Sequence, residues 1–313
     1  NGIALTENPA DIWLQERGPE VIFPVIYSNP NRVATWEYGT RPASVSRDKP
    51  YHNPTWEFVK DFPMLDGKRY DDPTGKYYVG DEQALLKAFW KNRDPRFNRA
   101  CLYNGREWPV AGRSADNRMY NALGVSNADD QYGVNPNAGV NAANNDIFSG
   151  MYNYKVSDLS LTQDKVMTFD IDYILMRFAE VMFIYAEAAN ENGHSDVAID
   201  LLKQIRKRAG IPGYGETVNL PKPTTTEEVM ELIRKEKRIE LSFENCRYFD
   251  VRRWGLVNEY FNKAIHGMNV NYDGNEFFKR TEIVKRIFDR QYFFPIPQGE
   301  IDIDKNLVQN TGF

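Results

Sequence analysis

Three glutamates spaced four apart, Glu236, Glu240 and Glu244, form the pattern in this 313-residue chain that most resembles catalytic machinery. At that interval they stack in one row along a helix. Val229, Ile233 and Phe243 fall on or beside the row, so the carboxylates belong to a face that should be buried. Paired carboxylates on such a face could serve as the acid and base of glycoside hydrolysis or hold a hard cation. The neighbouring arginines point elsewhere. Arg234, Arg238, Arg247, Arg252 and Arg253 lie within the same turns, and guanidinium groups make bidentate pairs that let carboxylates be buried. They also lower a carboxyl pKa, whereas a glycosidase acid needs a raised one. Glu236, Arg238, Glu240, Glu244, Arg247, Asp250 and Arg253 are therefore expected to form a structural ion-pair network, with catalysis and a cation or partner contact as the alternatives.

Other reactive residues are sparse. Three histidines, His52, His194 and His266, are scattered, and Cys101 and Cys246 lack metal or redox spacing. No catalytic residue, metal or cofactor is expected. Aromatic residues, by contrast, make up 13% of the chain, and rings of this kind recur where proteins grip sugars or peptides. The loop-borne candidates for ligand contact are Trp36, Tyr38, Arg41, Trp108, Tyr120, Asn121, Asp129 and Tyr132, with Asp130 beside them; Trp13, Trp56 and Trp90 are expected in the core. A net charge of −5 without a basic stripe argues against nucleic acid. A mean hydropathy of −0.61 and the lack of a long apolar run exclude a spanning helix.

The elements that must position these groups differ between the two parts of the chain. Residues 1–169 are loop-rich, with Pro, Gly, Asn and Asp between short apolar pieces. Residues 21–27 could be a strand with Pro24 at an edge or bulge, residues 81–92 read as a helix capped by Asp81, and the Asn/Gly-rich stretch 117–145 reads as a long surface loop. Residues 170–313 look helical. One helix is expected over 171–192, ended by Gly193. A second should start at Ser195 and stop at Gly210. A third opens on a Thr225/Glu228 capping box and runs towards Asn245. A short closing segment over 283–294 precedes an extended tail. The first two helices, joined so closely, must pack antiparallel and need further helices to cover them.

Several segments carry a resemblance. RFAEVMFIYAEAAN at 177–190, LKQIRKRAGIP at 202–212, EKRIELSFENCRYFDVRRW at 236–254 and FPIPQGEI at 294–301, followed by Asn306-Leu307 and Gln309-Asn310, occur in the order seen in SusD/RagB-type nutrient-binding lipoproteins. EVIF at 20–23 and NRDPR at 92–96 match more weakly. Cys246 stands where Gly or His is more usual, and Thr311 replaces a Pro. The chain thus resembles the C-terminal part of that family.

The resemblance implies a mainly α fold, with tetratricopeptide-like helix pairs packed against the loop-rich subdomain. It also implies non-catalytic capture of an oligosaccharide or peptide at the outward face of the cell outer membrane, for import through a TonB-dependent, SusC-like transporter. Membrane attachment would come only through a lipid anchor outside this chain. A glycoside hydrolase and a tetratricopeptide-type protein scaffold are the competing functions.

Overall fold

The computed structural model describes residues 2–42, 52–81, 84, 85, 88, 91–103, 105–112, 149–272, 276–285, 293–310 and 313. The expected loop at 117–145 lies outside them, as does Trp90. Of the helix expected over 81–92, the cap can be seen: Asp81 Oδ1 accepts from the Ala84 amide at 2.8 Å. The chain is helix-rich, with three small two-stranded sheets among the described residues.

After a 3-10 turn at Pro9–Asp11, strand β1 (Val21–Val25) pairs antiparallel with β4 (Tyr173–Arg177). Register shifts flank Phe23, which lets the two-stranded pair accommodate Pro24. Helix α1 (Trp56–Asp61) is capped by Thr55, whose hydroxyl accepts from the Phe58 amide. Helix α2 (Pro95–Ala100) is capped by Asp94 and begins on a proline, which costs no helix hydrogen bond there. Strands β2 (Cys101–Leu102) and β3 (Tyr152–Asn153) pair next.

Then come α3 (Phe178–Glu191), α4 (Ser195–Ala209) and α5 (Thr226–Glu240). Ala179, Met182, Phe183 and Ala186 of α3, Ala198, Leu202 and Ile205 of α4, and Val229 and Ile233 of α5 fuse into one core cluster. Gly210 ends α4 at φ 81°, a left-handed conformation that glycine adopts without strain. Both hydrogen bonds of the Thr225/Glu228 capping box are present. Helices α6 (Cys246–Arg253) and α7 (Val257–Tyr260), strands β5 (Ala264–Tyr272) and β6 (Glu276–Lys285), and helix α8 (Gln298–Ile303) complete the chain.

Five expectations need correction. The helix expected from 171 begins at Phe178, because residues 173–177 are held as β4: Ile174 is 5% exposed and Leu175 47%, the alternation of a strand. The third helix stops at Glu240 rather than near Asn245, since Phe243 and Asn245 take positive φ (62° and 63°) and turn the chain into α6. The segment expected to close over 283–294 belongs in part to the β5–β6 hairpin, and the tail contains α8. Ser195 does not cap α4; its hydroxyl donates instead to Asn190 Oδ1 at 2.7 Å.

The two parts of the chain are knitted together. Ile239 of α5 packs in the cluster built on Trp56, Phe62 and Phe97, and Ile174 packs with Ile12, Trp13 and Val156.

Candidate ligand-binding site

The glutamate row lies inside the protein: Glu236 is 1% and Glu240 5% exposed. Glu236 pairs with Arg96 at 2.9 Å and with Arg206. Glu240 meets Arg96 at 3.3 Å, Arg177 at 3.1 Å, and Arg208. Glu244 meets Arg177 at 2.7 Å and Lys155. Glu20 pairs with Arg177 and Arg208 at 2.5 and 2.6 Å, and Asp94 with Arg96 at 2.7 Å. Five carboxylates thus face five cations in a balanced cluster, the condition under which buried charge is tolerated. Lys155 and Arg177 also donate to the backbone carbonyl of Glu240, satisfying an acceptor that the end of α5 leaves free.

Electrostatics follows geometry. Burial works to raise the Glu240 carboxyl, but Arg208, Arg177 and Arg96 outweigh it and hold it well below the usual range. Glu236 and Glu244 are lowered in the same way, against burial, by Arg206 with Arg96 and by Arg177 with Lys155 respectively. None of the three can deliver a proton near neutrality.

The cations differ from those expected. Arg238 pairs with Asp61 of α1 at 2.5 Å. Arg247 lies over the rings of Tyr260 and Trp254. Asp250 and Arg253 form a second cluster with Lys237 and Glu187. Arg234 turns to Glu231, and Arg252 lies over the rings of Tyr248 and Phe294. A guanidinium near in sequence on the same helix projects from another face. Those that reach the glutamates come from α2, β4 and α4.

Of the expected ligand contacts, Tyr120, Asn121, Asp129, Asp130 and Tyr132 lie outside the described residues. Trp108 is fully buried with Leu102, Val110, Tyr152 and Tyr154, so its ring offers no face to a ligand. Arg41 is 2% exposed; it pairs with Glu37 at 2.5 Å and donates to the carbonyls of Leu161 and Asp158. Both residues serve packing here. Glu37 itself is enclosed: burial raises its pKa to about 6, against the pull of Arg41.

Trp36 and Tyr38 are partly exposed. The Trp36 ring meets Tyr27, Phe169 and Tyr173 edge-on at centroid distances of 5.2, 4.9 and 5.3 Å. Trp13 and Trp56 are buried in the core.

A cleft of 460 Å³ opens between α1, the α6–α7 end and the start of β5, with Tyr260, Phe261, Arg247 and Lys263 in its wall. In the sequence Arg247 stands out only as a network member, and Tyr260 and Lys263 belong to no motif. The pairing of a ring with flanking cations over 247–263 was the available signal. Among the described residues no group of His, Cys, Asp and Glu is placed to hold a metal, and no helix is long and apolar enough to cross a membrane.

A helix-rich chain with a buried ion-pair core and solvent-facing aromatic and charged clefts is the class of molecule this geometry defines. A family model described as SusD family matches residues 19–313, and the chain belongs to that family. SusD-like protein P2 of Formosa agariphila is 33% identical over 142 residues, which are 45% of this chain and 25% of that protein. The crystal structure of a SusD-like protein from Bacteroides fragilis superposes with a TM-score of 0.74 at 24% identity, covering 100% of this chain and 59% of the other. A second structure from that organism, described as a SusD-like carbohydrate binding protein, gives 0.62 at 23% identity, covering 93% of this chain and 55% of that one. The chain therefore spans little more than half the length of these solved relatives.

Proposed function

We propose that the protein captures an oligosaccharide at the cell surface without converting it, and hands it to a TonB-dependent transporter of the SusC type. One observation carries the choice of binding over hydrolysis. The carboxylates whose spacing suggests an acid/base pair are all enclosed and neutralised by guanidinium and ammonium groups. Among the described residues the carboxyl raised clearly above its ordinary value, Glu37, is fully buried and out of a substrate's reach. Family membership supports the same reading, as does the carbohydrate-binding description of a solved structure with this fold.

On this reading α3 and α4 act as the tetratricopeptide-type pair, in a helical region (170–313) that backs the loop-rich one (1–169). The protein sits outward on the outer membrane through a lipid anchor, and Trp36 and Tyr38 contribute to ligand contact.

Isothermal titration against oligosaccharide and peptide panels, with chromatography of the same mixtures, tests the proposal. Saturable binding of a glycan recovered intact is expected; turnover, or binding confined to peptides, would sink it. Trp36→Ala is expected to weaken glycan binding by about 1–3 kcal/mol if its ring stacks on sugar. Unchanged affinity in a folded variant removes Trp36 from the site.

A further inference from the structure

The cleft beside α1 has a charge pattern that simple capture of neutral sugar does not use. Among the described residues that line it, five cationic side chains, Lys60, Arg69, Arg238, Arg247 and Lys263, stand with two carboxylates, Glu57 and Asp61. Both carboxylates are engaged. Asp61 holds Arg238 at 2.5 Å; Glu57 accepts from the His266 amide at 3.0 Å and lies 2.6 Å from its Nδ1. Arg69 is held outside the cleft's own acids by two 2.8 Å hydrogen bonds to Asp71.

Arg247 differs from these. Among the described residues no carboxylate pairs with it; its guanidinium lies 4.3 Å from the centroid of the Tyr260 ring and 5.7 Å from that of Trp254. Burial, then the like charge of Arg238, pulls its pKa down to about 10, against the opposing pull of Tyr260 and Asp61, so at neutral pH it remains a cation without a carboxylate in direct contact. Lys263 is exposed, with Nζ 6.0 Å from the same Tyr260 centroid. Tyr260 is thus flanked by two cations, and with Phe261 it supplies an aromatic surface of the kind that supports a sugar ring. A guanidinium fork is matched in shape to carboxylate and sulfate oxygens, and partial desolvation strengthens its pull.

We infer that this cleft is a subsite for an anionic group on the captured glycan, a uronate carboxylate or a sulfate ester, gripped by Arg247 and Lys263 beside Tyr260. The inference rests on the glycan-capture reading and narrows its ligand class. The ring wall favours an acidic sugar over an acidic peptide.

Matched pairs of probes test it by isothermal titration: an oligogalacturonide against its carboxyl-reduced form, and a sulfated galactan oligosaccharide against its desulfated form. The acidic member of at least one pair is expected to bind about tenfold tighter, with the preference fading as salt rises. The pair that shows it names the group. Arg247→Gln should remove most of the preference and Lys263→Gln about threefold of it. Lys263 is exposed, so its variant carries the test even if Arg247→Gln lowers the melting temperature.

Equal affinity within both pairs, or a preference that survives Lys263→Gln and a folded Arg247→Gln unchanged, overturns the inference and leaves glycan capture standing. Failure to bind any glycan, or binding of oligo-aspartate alone, overturns both.

Discussion

Glu240 shows how one side chain can stand between three helical or strand partners. Its carboxylate faces Arg96, Arg177 and Arg208 at once. Removing one charge from a buried, balanced cluster leaves the others uncompensated, so Glu240→Gln is expected to cost about 3–5 kcal/mol in urea unfolding. An effect under about 1 kcal/mol would mean that the cluster is hydrated or mispaired.

The same residues set the acid response. The pKa values of Glu236, Glu240 and Glu244 fall below the ordinary 4.5 on folding. Their contribution is full above 4.5 and is lost as pH falls through the folded values. Glu37 acts with the opposite sign: raised to about 6, it contributes below 4.5 and the contribution is lost as pH rises through about 6. Denaturation measured across pH should therefore show a steep loss below 4.5 and a shallow decline, of about 2 kcal/mol at most, between 4.5 and 6.

At the scale of elements, Gly67 is a sensitive joint. It takes φ +81°, and a Cβ placed there would collide with Arg206 Nη2 and press within 3.1 Å of Leu220. Gly67→Ala is expected to destabilise by about 2–3 kcal/mol, through backbone strain together with displacement of a network arginine. A Gly67→Ala melting temperature equal to the parent's would show that the loop can re-route.

Local chemistry was legible where it is local. The Thr225/Glu228 box and the Gly210 stop both follow from neighbours within four residues. Strand β4 was read as helix because Tyr173–Arg177 runs into a strongly helical segment and its strand state depends on β1, far away in sequence. The β5–β6 hairpin was missed although Asp273-Gly274, between alternating apolar residues, is a hairpin signal. The glutamate row was legible, but its partners were not: Arg96 is 144 positions from Glu240, a separation no periodicity reports.

For the whole molecule, five of the segments that carry the family resemblance supply every charged group of the buried cluster except Lys155. Glu20 lies in EVIF, Asp94 and Arg96 in NRDPR, Arg177 opens the α3 segment, Arg206 and Arg208 sit in LKQIRKRAGIP, and the glutamates lie in EKRIELSFE. Such motifs identify the fold and say little of the ligand, which explains why family was readable and the contact residues were not. Arg41 and Trp108 match the composition of a sugar site, yet lie in the interior. The cluster also joins the loop-rich and helical parts, so a chain stopped at residue 225 is expected to lack near-ultraviolet circular dichroism and to be cleaved rapidly by protease. A compact, protected fragment would contradict that dependence.

The cluster has a direction along the chain. Arg96, Arg177, Arg206 and Arg208 all precede Glu236, Glu240 and Glu244, so a polypeptide delivered N-terminus first presents its guanidinium groups long before most of their counter-ions arrive. Until α5 emerges, Glu20 and Asp94 are the members of the cluster available to balance these cations, so closing the interior would bury positive charge in excess. The interior can therefore reach charge balance only once α5 and the turn after it, which carry Glu236, Glu240 and Glu244, have been made.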